Sequence, residues 1–165
     1  MGNISDNLST GRLSHRQQAA DALISLIETA QRSIVIFAPQ LDRGLYNSLR
    51  FNRALALFCA RHDRNRVDIL TEDSGHLLRA NELLIQTARR FSDFISIRQV
   101  PEEYRGLTTQ YLVADKKDFL LQPDTREQAY IVHTEDKGEA AHLLNQFAPM
   151  LERSEPIYEM HTLGL

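Results

Sequence analysis

"GLTTQYLVADKKDFLLQP", residues 106–123, holds two short apolar runs separated by a charged turn. Tyr111–Ala114 and Phe119–Leu121 are built from residues that suit an extended backbone. The intervening Asp115–Asp118 supplies turn chemistry for a hairpin. A tight turn leaves no room for a crossover helix, so the strands 107–114 and 118–122 must pair antiparallel. A third run, 128–133, follows with equally little space. This half of the chain is therefore an antiparallel meander.

Upstream the rhythm differs. "SIVIFA" (33–38) is continuously apolar and β-branched, as expected of a strand covered on both faces, and Pro39 ends it. "RVDILT" (66–71) and "DFISIRQV" (93–100) are two further strands. Helical periodicity fills the gaps over 15–31, 45–63 and 75–91. Ser14 and Gln17 have the spacing of a capping box at the first helix. Helical crossovers imply parallel strands, and a last helix spans 137–152. The order α-β-α-β-α-β-β-β-β-α predicts an α/β fold, a mixed parallel/antiparallel sheet with helices on both faces. Residues 1–13, rich in Ser, Asn and Gly, read as a flexible or loosely docked arm. Residues 14–153 form a single domain, and the tail 154–165 has too little pattern to assign.

The 165 residues are enough for one domain with a real core. A net charge of −3 by itself forecasts neither a nucleic-acid nor a membrane partner. Cys59 is the only cysteine, which rules out an internal disulfide and the usual cysteine zinc sites. The first residues lack an apolar signal core and the longest apolar run, "ALALFCA", is too short to span a bilayer. A cytoplasmic location is expected. The six histidines include no close pair at metal-ligand spacing, and nothing calls for a cofactor.

"RSIVIFAPQLD" (Arg32–Asp42) and the element order that follows it resemble a catalytic half-domain of the phospholipase D superfamily, over about 22–151. In that family the signature strand carries His-x-Lys-x4-Asp, and the hairpin after it ends in Gly-Ser-x-Asn. Aligned through "LVAD", the histidine falls on Thr108, the lysine on Gln110 and the aspartate on Asp115. The glycine and serine fall on Gln122 and Pro123, and the asparagine on Thr125. Only the aspartate survives. The resemblance implies a histidine that attacks phosphorus and a lysine that offsets charge on the phosphoryl oxygens. Threonine without a base is a poor nucleophile, and glutamine brings no positive charge. The expectation is a disarmed site. Single-motif members commonly pair two chains, so the resemblance also implies a homodimer.

Other residues carry weaker signals. Thr108 and Gln110 share one face of a strand, where they either shape a polar pocket or satisfy each other and nearby backbone. Asp115 opens a turn in which aspartate readily bonds backbone. Glu72 and Asp73 follow a strand end where open α/β sheets bind ligands, or they cap the next helix. Cys59 and His62 have the spacing of a thiolate–imidazole pair, although Cys59 shares its face with Leu55 and Phe58 and fits a core role. From Arg43 to Arg66 there are six arginines and one acid. Arg50, Arg53, Arg61 and Arg64 fall within about an 80° stripe at helical spacing. That stripe is either a solvated face or a surface for an anionic ligand, an acidic protein or nucleic acid. The segment 135–159 carries six acids against Lys137 and Arg153. The combined expectation is a catalytically inactive phospholipase D-like domain that binds or scaffolds. The alternatives are a phosphodiesterase or nuclease with a rearranged site, and a nucleic-acid-binding protein using the arginine helix.

Overall fold

The computed structural model describes residues 10–162. Among the described residues its centre is an eight-stranded sheet in the order β1-β7-β6-β5-β2-β3-β4-β8, with β1 (Thr10–Leu13) and β8 (Glu155–Pro156) at the two edges. The parallel part is β2 (Ser33–Ala38), β3 (Arg66–Thr71) and β4 (Ile95–Gln99). β5 (Gln110–Ala114) lies antiparallel against β2, and β6 (Asp118–Gln122) and β7 (Tyr130–His133) extend the antiparallel side. The mixed sheet expected from the sequence is the one observed. Parallel strands come from the helix-linked half and antiparallel strands from the hairpins.

β2 shows why a continuous apolar run marks a strand covered on both faces. Ile34, Ile36 and Ala38 point into a core shared with α1 (Arg16–Thr29), α3 (Leu49–Arg61) and α5 (Glu82–Arg90). Val35 and Phe37 point the other way, against Tyr111, Phe119 and the inner face of α6 (Lys137–Glu152). Side-chain alternation thus sends one sequence into two cores. α1 packs chiefly on α3, and α6 alone covers most of the second face.

Several boundaries depart from expectation. The first helix starts one residue later than a Ser14–Gln17 box would place it. The Gln18 side-chain oxygen accepts from the N–H groups of Ser14 and His15, while Gln17 reaches forward to Asp21. The expected helix over 45–63 is two: α2 (Arg43–Tyr46) and α3. Asp42 accepts from Gly44 N–H, and Ser48 Oγ accepts from Phe51 N–H to start α3 afresh. The helix over 75–91 likewise divides into α4 (Ser74–Ala80) and α5. At the break, buried Asn81 donates to the Leu41 carbonyl.

The chain ends are partly built in. Thr10–Leu13 form β1, pairing antiparallel with β7. The expected arm 1–13 therefore contains a sheet edge, and its residues 1–9 lie outside the described residues. In the tail, Glu155–Pro156 (β8) pair with β4 and Tyr158–Thr162 form α7. Arg98 bonds both Ser154 Oγ and the Ser154 carbonyl, and Arg89 grips the Met160 carbonyl. Among the described residues no helix is long and apolar enough to cross a membrane.

Candidate functional site

The parallel strands β2 and β3 end side by side, and the loops after them meet the start of β5 and the end of β6. Thr71 Oγ1 donates to the Pro39 carbonyl, and the Glu72 and Asp73 N–H groups donate to the same oxygen. Glu72 then accepts from Gly106 N–H at 3.0 Å. Gly106 sits at φ 95°, a backbone state that a side chain would strain. These contacts frame an open cavity of about 610 Å³ at the carboxyl ends of the strands, where open α/β sheets place their ligands.

Thr108, Gln110, Gln122, Thr125 and Glu72 all line this cavity. The hairpin register explains why, since Gln110 and Gln122 are direct cross-strand partners. Thr108 is exposed and precedes β5, whose regular pairing starts at Gln110. Its carbonyl accepts from Thr125 N–H at 2.7 Å, continuing the approach of the two arms.

The interior of the site is a chain of hydrogen bonds. The Tyr46 hydroxyl donates to Gln110 Oε1 at 3.0 Å. Gln110 Nε2 donates to Gln122 Oε1, and Gln122 Nε2 donates to the Glu127 carbonyl. Gln110 and Gln122 are both buried. Burial, reinforced by Asp42 and Tyr130, holds the Tyr46 hydroxyl protonated far above the usual tyrosine range. So it acts as a donor only through a neutral O–H. Tyr46 escaped notice in the sequence because nothing in its local pattern points to a partner 64 residues away.

Carboxylates dominate the rim. Arg16 and Arg126 are the cations lining the cavity, against Asp42, Glu72, Asp73 and Glu127. Arg16 pairs with Asp42 at 3.2 Å, and its N–H donates to Gln128 on the opposite wall. Arg126 is held by Asp124 at 2.9 Å. Those hydrogen bonds pull the Asp124 carboxyl down to about 2. Asp73 also caps α4 through His76 N–H. Four carboxylates thus line the cavity against two guanidiniums, a balance that suits a phosphodiester poorly. Among the described residues, no group of three His, Cys, Asp or Glu side chains is placed to hold a metal ion.

Asp115, the one signature residue retained, is elsewhere. It sits at the far end of β5 and accepts from the N–H groups of Gln31, Arg32 and Ser33. Its φ of 53° belongs to the turn, and its carboxylate is occupied by these three backbone groups. The thiolate–imidazole pairing of Cys59 and His62 is not formed. Cys59 is buried, burial pushes its thiol up to about 11, and His62 Nδ1 faces Arg64 N–H and Asp63.

The arginine stripe is divided as well. Arg50 pairs with Asp21, and Arg61 caps the end of α1 by donating to the Ile27 and Ala30 carbonyls. Arg64 lies beyond the last turn of α3, which ends at Arg61. Four arginines in one free row are therefore not presented. The acids of α6 lie away from them, because α6 packs on the opposite face of the sheet.

Residues 15–163 match the family described as Domain of unknown function (DUF7931). The chain belongs to the DUF7931 family. No curated protein matches it. The DUF7931 fold is phospholipase D-like. It superposes on Nuc from Salmonella typhimurium, a phospholipase D family member, with a TM-score of 0.70 at 15% identity, covering 89% of this chain and 96% of that one. NucT from Helicobacter pylori gives 0.63 at 16% identity, covering 90% and 98%. The archaeal chromatin protein TrmBL2 gives 0.62 at 14% identity, covering 90% of this chain but 54% of that one. The DUF7931 domain thus spans the full architecture of the two small proteins and about half of TrmBL2. At these identities the likeness is one of fold.

Proposed function

We propose that this DUF7931 protein is a catalytically inactive phospholipase D-like domain that works as a binding or scaffolding module. The observation that carries the proposal is the amide chain from Tyr46 through Gln110 and Gln122 to the Glu127 carbonyl. At the positions aligned with the nucleophile and its lysine, the chain offers an exposed threonine hydroxyl and a carboxamide already bonded at both ends. Neither supplies an imidazole to form a phosphoenzyme, nor a cation to stabilise the phosphoryl oxygens. Three rim carboxylates, Glu72, Asp73 and Glu127, add repulsion for any phosphodiester. The cavity stays open, which favours retained binding of a small polar group over a collapsed relic.

The test is turnover. Purified protein should hydrolyse neither bis-aryl phosphates, phospholipids nor single-stranded DNA above buffer. Hydrolysis that disappears in the Thr108→Ala variant would overturn the proposal. We also propose that two copies associate through the face bearing this cavity, as the phospholipase D resemblance implies for a single half-domain.

A further inference from the structure

The face of α3 turned away from the sheet carries two of the most exposed large apolar side chains among the described residues, Leu49 at 63% and Leu57 at 56% exposure. Eight residues apart on one helix, they lie about 12 Å from each other along its axis. They do not stand on a convex ridge alone. With Leu83 and Phe91 of the α5 side they line a groove of about 440 Å³ between the two helices. Thr87 Oγ1 donates to Asn52 Oδ1 at 2.9 Å across its floor, fixing the spacing of the helices.

The charges around this groove have one sign. Arg53 and Arg90 line it, and no carboxylate does. Arg90 stacks over Phe91 at 5.2 Å, holding its guanidinium at the rim. The neighbouring acids are already engaged, Glu82 with Arg43 and Asp21 with Arg50. On the other side of α3, Glu28 stands alone among Arg50, Arg53 and Arg61.

We propose that the α3–α5 groove is a docking site for an acidic amphipathic helix of another protein. Its apolar face would cover Leu49, Leu57, Leu83 and Phe91, and its flanking carboxylates would meet Arg53 and Arg90. A helix laid in a groove uses anchors at i, i+3, i+4 and i+7, and the span from Leu49 to Leu57 accommodates two turns of them. A second copy of this chain fits poorly, because a two-fold contact here would bring arginine against arginine. Duplex DNA leaves the leucines unused, and a flat bilayer does not fill a concave groove. This site lies away from the relic cavity and does not depend on its function.

The experiment uses the full chain labelled with ¹⁵N. The probe is a designed helical peptide of about 16 residues, with leucines at i, i+3, i+4 and i+7 flanked by glutamates. A second peptide has lysine for each glutamate. The glutamate peptide should shift amides within 49–60 and 83–91, and bind at least about tenfold more tightly than its lysine counterpart. The Arg53→Glu/Arg90→Glu variant should invert that preference while still unfolding cooperatively, with a melt lowered only by the loss of the Arg90–Phe91 stack. Leu57→Asp alone should abolish binding of both. The proposal is overturned if neither peptide shifts these amides, or if both bind equally. It also fails if duplex DNA or anionic vesicles bind them more tightly than the peptide. Concentration-dependent shifts of the same amides without peptide would assign the groove to self-association instead.

Discussion

Exchanging a lysine for a glutamine changes what a strand can offer a ligand. A lysine at position 110 would present an ammonium that only donates, so the Tyr46 O–H would lose the acceptor it uses here. The carboxamide instead accepts from Tyr46 and donates to Gln122, so both functional ends are used inside the protein. Gln110→Leu keeps the approximate volume and removes both bonds. The buried Tyr46 hydroxyl and Gln122 Oε1 would be stranded, at a cost of about 1–3 kcal/mol for each group left unsatisfied. Urea denaturation with an unchanged m-value should register that loss. Equal stability of parent and variant would mean that the amide chain does not contribute to the fold. That Thr108 and Gln110 would share a site was legible from their alignment, and both line the cavity. The relay was not, because it closes through Tyr46 and the Glu127 carbonyl, and no local pattern marks either. Asp115 was matched as a motif residue, but its three backbone partners give it a structural task.

Legibility did not divide by element type: the helix expected over 137–152 has those bounds, whereas the strand expected over 107–114 begins at Gln110. Residues 33–38, 66–71 and 118–122 have their expected bounds, because short apolar runs between turn signals leave little alternative. Helix interruptions at Asn47–Ser48 and Asn81 were hidden, since apolar periodicity continues across them while buried polar side chains reset the backbone. Asn52, Asn47 and Asn81 all donate or accept across elements. Such bonds follow from tertiary placement and leave no local signature. The tail is the clearest case. Ile157 and Met160 are buried, yet two apolar residues in a polar segment are too few to show a period. A chain ending at Arg153 should lose about 3–6 kcal/mol, the burial value of these two side chains at roughly 1.5–3 kcal/mol each. Calorimetry of the shortened chain checks this. An unchanged melt would show that the segment merely rests on β4.

At the scale of the whole molecule, three surfaces are kept apart. The polar cavity opens at the carboxyl ends of β2 and β3, the basic groove lies on the outer face of α3 and α5, and α6 covers the opposite side of the sheet. That separation makes self-association testable by position. If two copies meet through the cavity face, light scattering at micromolar concentration should give about twice the 18.9 kDa of one chain. Arg126 stands at the cavity rim with its side chain 76% exposed, so Arg126→Glu would place a new carboxylate beside Asp124 and Glu127 without disturbing the core. Across a two-fold axis the like charges meet their own copies, and the dimer should weaken at least about tenfold. Raising the salt concentration should recover part of that loss, because exposed charges are screened. Arg53→Glu, on the far helices, should leave the mass unchanged. A monomer at micromolar concentration would sink the dimer outright. A dimer dissociated by Arg53→Glu but indifferent to Arg126→Glu would move the interface to the groove, and the occupant proposed there would then be a second copy.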